Sequence, residues 1–423
     1  MSDMEFVDVP KLSLLAKLSS PSPTRTWQSA PHPHLPILAT ATSNKTVSVH
    51  SLRDFRLLST ISGGHKRSIR SVAWRDDGKK GESVLATGSF DSSVGIWKRE
   101  DAYSNAEGGP PGNSFDGDLD LTNEGFVGSE SIRSEDPEDW QFAVLLTGHD
   151  SEVKCVAFSP SNPSLLATSS RDKSLWIWEA VSEEDDYETI AVLTEHSGDV
   201  KCVAWHPERE TLASGSYDDS IRFWRDIEEE GDWGCIGCIE GHEGTVWGVA
   251  WEPRLEKASH EELRLASCSD DLTIRIWKKT EAEKREERKP GALPSIIRPA
   301  SSTEVWQQDS ILPQMHSRSI YAIAWSRMSG RIVSCGGDGN IFVYKEAQVI
   351  EEKGDTPMQG TDSDGEAPST TWQVLAQVEG AHEDYEINHV CWARRQDRDK
   401  RQEDEEIIVS TGDDGVVRMW TLP

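Results

Sequence analysis

The chain has 423 residues and a formal charge of −30, from 44 Lys and Arg against 74 Asp and Glu. That balance disfavours nucleic-acid backbone or an anionic membrane surface as the main partner. The length exceeds one ordinary core, no apolar run reaches membrane-spanning length, and the start MSDMEFVDVPKLS lacks the basic segment and apolar run of a secretory signal, so a cytoplasmic protein is expected, with the nucleus as a second compartment.

The first predicted element is a strand over 12–18, LSLLAKL, patterned like the later stretches AVLLTGH and TIAVLTEH. A repeat then begins and is written seven times. A turn residue is followed six positions later by a closing residue: Asn44 and His50, Asp91 and Trp97, Asp172 and Trp178, Asp218 and Trp224, Asp271 and Trp277, Asp338 and Tyr344, Asp414 and Trp420. Four positions before each turn residue stands a hydroxyl: Thr40, Thr87, Thr168, Ser214, Ser267, Ser334 or Ser410. A histidine opens every repeat except the first, at His65, His149, His196, His242, His316 and His382. The stretch 196–224, HSGDVKCVAWHPERETLASGSYDDSIRFW, is the fullest copy and has the WD-type signature.

The recurring set predicts a hydrogen-bonded tetrad in each unit. The clearest are His149, Thr168, Asp172 and Trp178; His196, Ser214, Asp218 and Trp224; and His242, Ser267, Asp271 and Trp277. A set repeated around the whole chain reads as framework rather than as catalysis or metal binding, because buried polar atoms must be paired. Such units cannot cover their own faces and stack around a channel. The expected fold is therefore all-β, a single seven-bladed WD40 propeller over 1–423. The last residues, GVVRMWTLP, end on an inner-hairpin strand, so the 12–18 strand is expected to close the ring as the missing outer strand of the last blade.

Of the seven cysteines, Cys155, Cys202, Cys268, Cys335 and Cys391 occupy repeat positions of small core residues, as expected of a reduced protein. Cys235 and Cys238 form CIGC, which could mark a metal or redox pair. The stretch also matches an outer strand, on which i and i+3 point to opposite faces. No metal site is therefore expected there. Insertions rich in acidic, Gly and Ser residues or in charge span about 100–139, 278–303 and 346–371. With the shorter expansions from Arg254 and over 394–406, they fall on one face of the ring and are expected to be mobile.

The opposite face keeps short loops. One position there, after the first apolar residue of each inner strand, reads Trp27, Arg70, Lys154, Lys201, Trp247, Tyr321 and Asn388. A second, just before the turn residue, reads Ser43, Phe90, Arg171, Tyr217, Asp270, Gly337 and Asp413. Arg70, Lys154, Lys201 and Arg171 beside Trp27, Trp247, Tyr321, Phe90 and Tyr217 suit a ligand that joins a carboxylate to an aromatic or aliphatic side chain. No phosphate-cradling glycine loop, nucleophile elbow or metal triad is found, so no catalytic residue, metal or cofactor is expected.

From the third repeat onward the sequence resembles the WD40 protein family of cytosolic iron–sulfur protein assembly. The likeness rests on SRDKS-W-IWE, EHSGDVK and EGHEGTVW in that order, strongest over 149–277. The long acidic insertions look fungal-type, and the first repeat departs from the pattern at Ser22, Asn44 and His50. The resemblance implies a non-catalytic adaptor in a targeting complex with a HEAT-repeat scaffold and a small reactive-cysteine subunit. That complex would receive clusters through an iron-only-hydrogenase-like carrier and pass them to cytosolic and nuclear apoprotein clients, which often end in a short acidic-aromatic tail. The family's exposed top-face arginine matches Arg171. The alternative is a WD40 receptor of a ubiquitin ligase or chromatin complex. Trp-Asp followed by Arg two residues later, frequent in ligase adaptors, is missing: the closing tryptophans are followed by Lys98, Glu179, Arg225, Lys278 and Thr421.

Overall fold

The computed structural model describes residues 9–19, 24–76, 78, 81–100, 140–181, 186–227, 232–254, 263–280, 304–348 and 370–423. They form seven four-stranded antiparallel sheets and no helix. The first strand of each sheet touches the first strands of both neighbours, blade seven against blade one included, so the sheets close into a propeller around a channel. Blades one to six are built from consecutive strands, and blade seven takes its fourth strand from the N-terminal side. That strand, Ser13–Ser19, pairs with Val416–Thr421 from Ser13 opposite Thr421 to Ser19 opposite Val416, one residue beyond the expected boundary.

Period-two alternation is lost in the second strand of each blade because both faces are covered. Leu165–Ser170 and Thr211–Ser216 are buried at every position, and small Ala, Ser and Gly let neighbouring blades approach. Gly215 has no room for a side chain: a Cβ there would lie 2.6 Å from Val246 of blade five.

Two kinds of polar contact hold the blades. Within a blade, Trp224 Nε1 donates to Ser214 Oγ (2.8 Å), Ser214 meets His196 Nε2 (2.8 Å), and His196 Nδ1 lies 2.9 Å from Asp218. The Trp178–Thr168–His149–Asp172 chain (3.1, 2.8 and 2.8 Å) and the Trp277–Ser267–His242–Asp271 chain (2.8, 2.7 and 2.7 Å) have the same geometry. Burial alone would raise the Asp218 carboxyl. Hydrogen bonds from His196, Ser220 and the Ser197 amide outweigh it and hold the group well below the usual carboxylate range.

Between blades, the tryptophan that ends the first strand donates to an alanine carbonyl of the preceding blade. Trp74 reaches Ala30 (2.9 Å), Trp205 Ala157 (2.9 Å), Trp251 Ala204 (3.0 Å) and Trp392 Ala324 (3.1 Å). At the other three junctions Phe158 and Pro31 have no such donor, and Trp325 turns its indole to Gly330 in its own blade. Trp205→Phe is expected to cost about 1–2 kcal/mol by leaving the Ala157 carbonyl unpaired. The midpoint of urea unfolding against the parent chain measures it.

Several sequence expectations change. The bounding strands reach further than the insertions suggested, ending at Glu100, Thr280 and Gln348 and resuming at Thr370. What remains, 101–139, 281–303 and 349–369, lies outside the described residues, as do 255–262 and Ser22. The charged run 394–406 is a built loop. Buried Arg395 reaches Asp397 (2.6 Å) and Glu405 (2.7 Å), and opposite charges fix what composition alone reads as mobile. His50 fills the closing position of blade one, fully covered, with neither ring nitrogen hydrogen-bonded.

Candidate partner-binding site at the channel mouth

The first strand of every blade has a β-bulge at the same step. Register slips between Thr26 and Gln28, Ile69 and Ser71, Val153 and Cys155, Val200 and Cys202, Val246 and Gly248, Ile320 and Ala322, and Ile387 and His389. The skipped residues are Trp27, Arg70, Lys154, Lys201, Trp247, Tyr321 and Asn388. A bulge frees one residue from the ladder and re-aims its side chain. Seven bulges therefore turn seven side chains toward the axis at one level, where they line a cavity of about 250 Å³ together with Arg25, Phe90 and Glu386.

Aromatic and cationic groups interleave there. Trp27 packs on Phe90 (centroids 5.6 Å apart), with the Arg25 and Arg70 guanidinium groups 4.9 and 5.0 Å from its ring. Trp247 packs edge-on against Tyr321 (5.2 Å), and its Nε1 donates to Asp270 (2.6 Å). Lys154 Nζ lies 4.7 Å from the Phe90 ring, and Lys201 Nζ 4.9 Å from Trp247.

The cations are more compensated than the sequence positions suggested. Lys154 pairs with Glu152 (2.7 Å), Lys201 with Asp199 (3.2 Å) and Arg25 with Asp413 (2.6 Å). These carboxylates sit two residues before each lysine, or in the turn beside Arg25, and period-two reading from the lysines could have found the first two. Arg70 is different: among the described residues no carboxylate pairs with it and no acceptor bonds it. Burial, with Arg25 close by, lowers its pKa. Burial also lowers Lys154, which Glu152 only partly offsets. Burial and the neighbouring Glu386 push the Tyr321 phenol up to about 12. The mouth thus holds a desolvated guanidinium stacked on a tryptophan, flanked by flat apolar walls. A carboxylate with an adjoining aromatic group matches it in charge and shape.

Two expected residues lie elsewhere. Arg171 and Tyr217 stand on the outer rim, with the Arg171 side chain 59 % exposed and Tyr217 62 % exposed. Arg171 Nη1 is 3.8 Å from Glu152, and Lys201 Nζ is 5.4 Å from the Tyr217 ring, so both connect to the cavity through its lysines and their partners. Arg25 and Glu386 were missed because they lie outside the two repeat positions that were aligned. Among the described residues no group of three or more His, Cys, Asp or Glu side chains is placed to hold a metal ion, and no helix is long and apolar enough to cross a membrane.

Comparison with known proteins agrees with the type of repeat and narrows the kind of propeller. The WD domain, G-beta repeat family matches residues 55–98, 140–179, 187–225, 233–278 and 310–345. A protein of Aspergillus flavus named "Probable cytosolic iron-sulfur protein assembly protein 1" is 50 % identical, over 97 % of this chain and 98 % of its own length. The proteins of that name from Neosartorya fischeri (50 %; 97 % and 98 %) and Emericella nidulans (48 %; 97 % and 96 %) match equally broadly.

Proposed function

This chain belongs to the WD40-repeat family of cytosolic iron–sulfur protein assembly proteins, and we propose that it works there without catalysis, as the adaptor on which targeting partners and apoprotein clients meet. The relatives' names favour this over a receptor of a ubiquitin ligase or chromatin complex. The partners proposed are a HEAT-repeat scaffold, a small reactive-cysteine subunit, an iron-only-hydrogenase-like carrier and the apoprotein clients, in the cytosol and the nucleus. The cluster is cargo in this reading, and this chain's residues supply protein contacts only.

The observation that carries the contact site is Arg70. A guanidinium with no carboxylate partner among the described residues, stacked on Trp27 at the mouth of a rigid ring, is a site prepared for an anion. A client tail of acidic and aromatic residues would set its carboxylate against Arg70 and its ring between Phe90 and Trp247, with Arg171 and Tyr217 meeting the residues upstream. Depletion of the protein in cells tests the function. A cytosolic iron–sulfur enzyme should lose its cluster while a mitochondrial one keeps full activity, and equal activities under verified depletion would refute the adaptor reading.

Arg171→Glu tests the rim. The side chain is mostly exposed, so thermal unfolding should match the parent. Reversal beside Glu152 should weaken capture of partner or client at least about tenfold, or roughly 1.4 kcal/mol. Undiminished capture by the folded variant would remove Arg171 from the interface.

A further inference from the structure

The outer strand of blade four, Trp233–Glu240, carries the CIGC stretch. Its register sets Cys238 opposite Arg222, Gly237 opposite Phe223 and Cys235 opposite Trp224, passing over Ile236. Bulges at the same step mark the outer strands of blades one, two, three, five and six. The bulge overturns the expectation that i and i+3 point apart. Opposed residues of an antiparallel pair share a face, so both cysteines lie on the face of Arg222 and Trp224. Ile236 and Ile239 pack on the other side, against blade five. Cys235 packs against the cluster shared with blade three. Both thiols are free and half-buried.

Arg222 has the partner that this arrangement leaves for it. It stands opposite the tetrad hydroxyl Ser214, as Arg275 and Arg418 stand opposite Ser267 and Ser410. Arg275 reaches Asp271 (3.4 Å) and Arg418 reaches Asp414 (2.8 Å). Arg222 makes no carboxylate ion pair among the described residues. Its Nη1 lies 3.8 Å from Cys235 Sγ, and its buried Nε has no hydrogen-bond partner.

The spacing selects what the pair can hold. Two strand steps separate their partners Arg222 and Trp224, about 6.6 Å at a rise of 3.3 Å per residue. That is near the upper end of the Cα separations an S–S bond spans, and an S–metal–S bridge is longer. Among the described residues no third His, Cys, Asp or Glu is placed to join them, so the site offers two sulfurs. Thiolate sulfur suits Cu(I), zinc and iron–sulfur clusters, and of these Cu(I) is complete with two ligands whereas zinc and cluster sites take four. We propose that Cys235 and Cys238 form a two-thiolate site for a soft monovalent ion, Cu(I), with Arg222 as its charge partner. Two thiols bind one Cu(I) and release two protons, with no change of oxidation state. The resulting bis-thiolate unit carries one negative charge, which the guanidinium neutralises.

The test is anaerobic titration of the reduced full chain with Cu(I) against the chromophoric chelator bicinchoninate. About one Cu(I) per chain should be withdrawn from the chelator, with two sulfur neighbours by X-ray absorption. Cys235→Ser and Cys238→Ser should each lose about a hundredfold or more in affinity, Arg222→Gln about tenfold, and Cys155→Ser nothing. Serine fits half-exposed strand positions, so metal-free unfolding curves should overlay. Equal Cu(I) uptake by the Cys235→Ser/Cys238→Ser chain, or a third protein ligand in the absorption spectrum, would overturn the proposal.

Discussion

A chain lacking residues 1–19 is expected to lose its cooperative unfolding transition and to elute as aggregate on gel filtration. The strand Ser13–Ser19 supplies the outer edge of blade seven. Leu18 (2 % exposed) fills a cluster with Leu38, Val409, Val417 and Met419, and Leu12 fills another with Val333, Ile341 and Trp420. Each leucine contributes about 1.5–3 kcal/mol by burial. With the ladder hydrogen bonds added, the loss approaches the whole stability of an ordinary domain, about 5–15 kcal/mol. It also bares the Val416–Thr421 edge, which can then pair with another chain. A peptide of residues 9–19 added in trans should restore the monomer. A truncated chain that stays monomeric and cooperative would place closure in the contacts on the channel side, where Asn388 bonds the Thr26 carbonyl and Thr26 bonds Gly412.

Stability is also expected to fall as pH drops below 6.5, well before the carboxylates protonate. Burial depresses His50 from 6.5 to about 4, and burial with Arg70 nearby depresses His389 to about 3. A folded pKa below the unfolded one means that the unfolded chain binds the proton first. The stabilisation is complete above 6.5 and is lost as pH falls toward the folded values. At about 1.4 kcal/mol per unit, His50 alone removes roughly 3 kcal/mol by pH 4. The tetrad aspartates behave differently in that window. Asp91, Asp172, Asp218 and Asp271 are held far below the usual range, so their contribution stays nearly complete down to the ordinary carboxylate range, near about pH 4, and is lost progressively below it. Urea midpoints at several pH values should show the decline, and His50→Phe should flatten it while raising stability at neutral pH. A parent curve that stays level from pH 7 to 5 would contradict this account.

The ring was legible because its rule is arithmetic. Six residues from Asp218 to Trp224 and four from Ser214 to Asp218 recur in copy after copy, and no single copy has to be convincing. The channel mouth was legible in part. Arg70, Lys154 and Trp247 share a repeat position, but nothing in a one-dimensional pattern says that the position is a bulge that turns inward. The same blindness gave the wrong face for Cys235 and Cys238, since alternation counts residues and a bulge adds one. Glu152 and Asp199 escaped notice because only the cations were set side by side, although each carboxylate stands two residues before its lysine. The order of 394–406 escaped for the opposite reason: its composition is that of a mobile loop, and only the pairing of Arg395 with Asp397 and Glu405 makes it a structure.

The indole clamps between blades are unevenly dealt. They join blade one to two, three to four, four to five, and six to seven, and they are missing after blades two, five and seven. The other three junctions are fastened by different groups: the Val156 amide donates to Ser71 (3.0 Å), Arg264 pairs with Glu346 (2.6 Å), and Thr26 donates to the Gly412 carbonyl (3.0 Å). A partner seated across the channel mouth touches blades one, four and six through Trp27, Lys201 and Tyr321, and its binding would bridge junctions of both kinds.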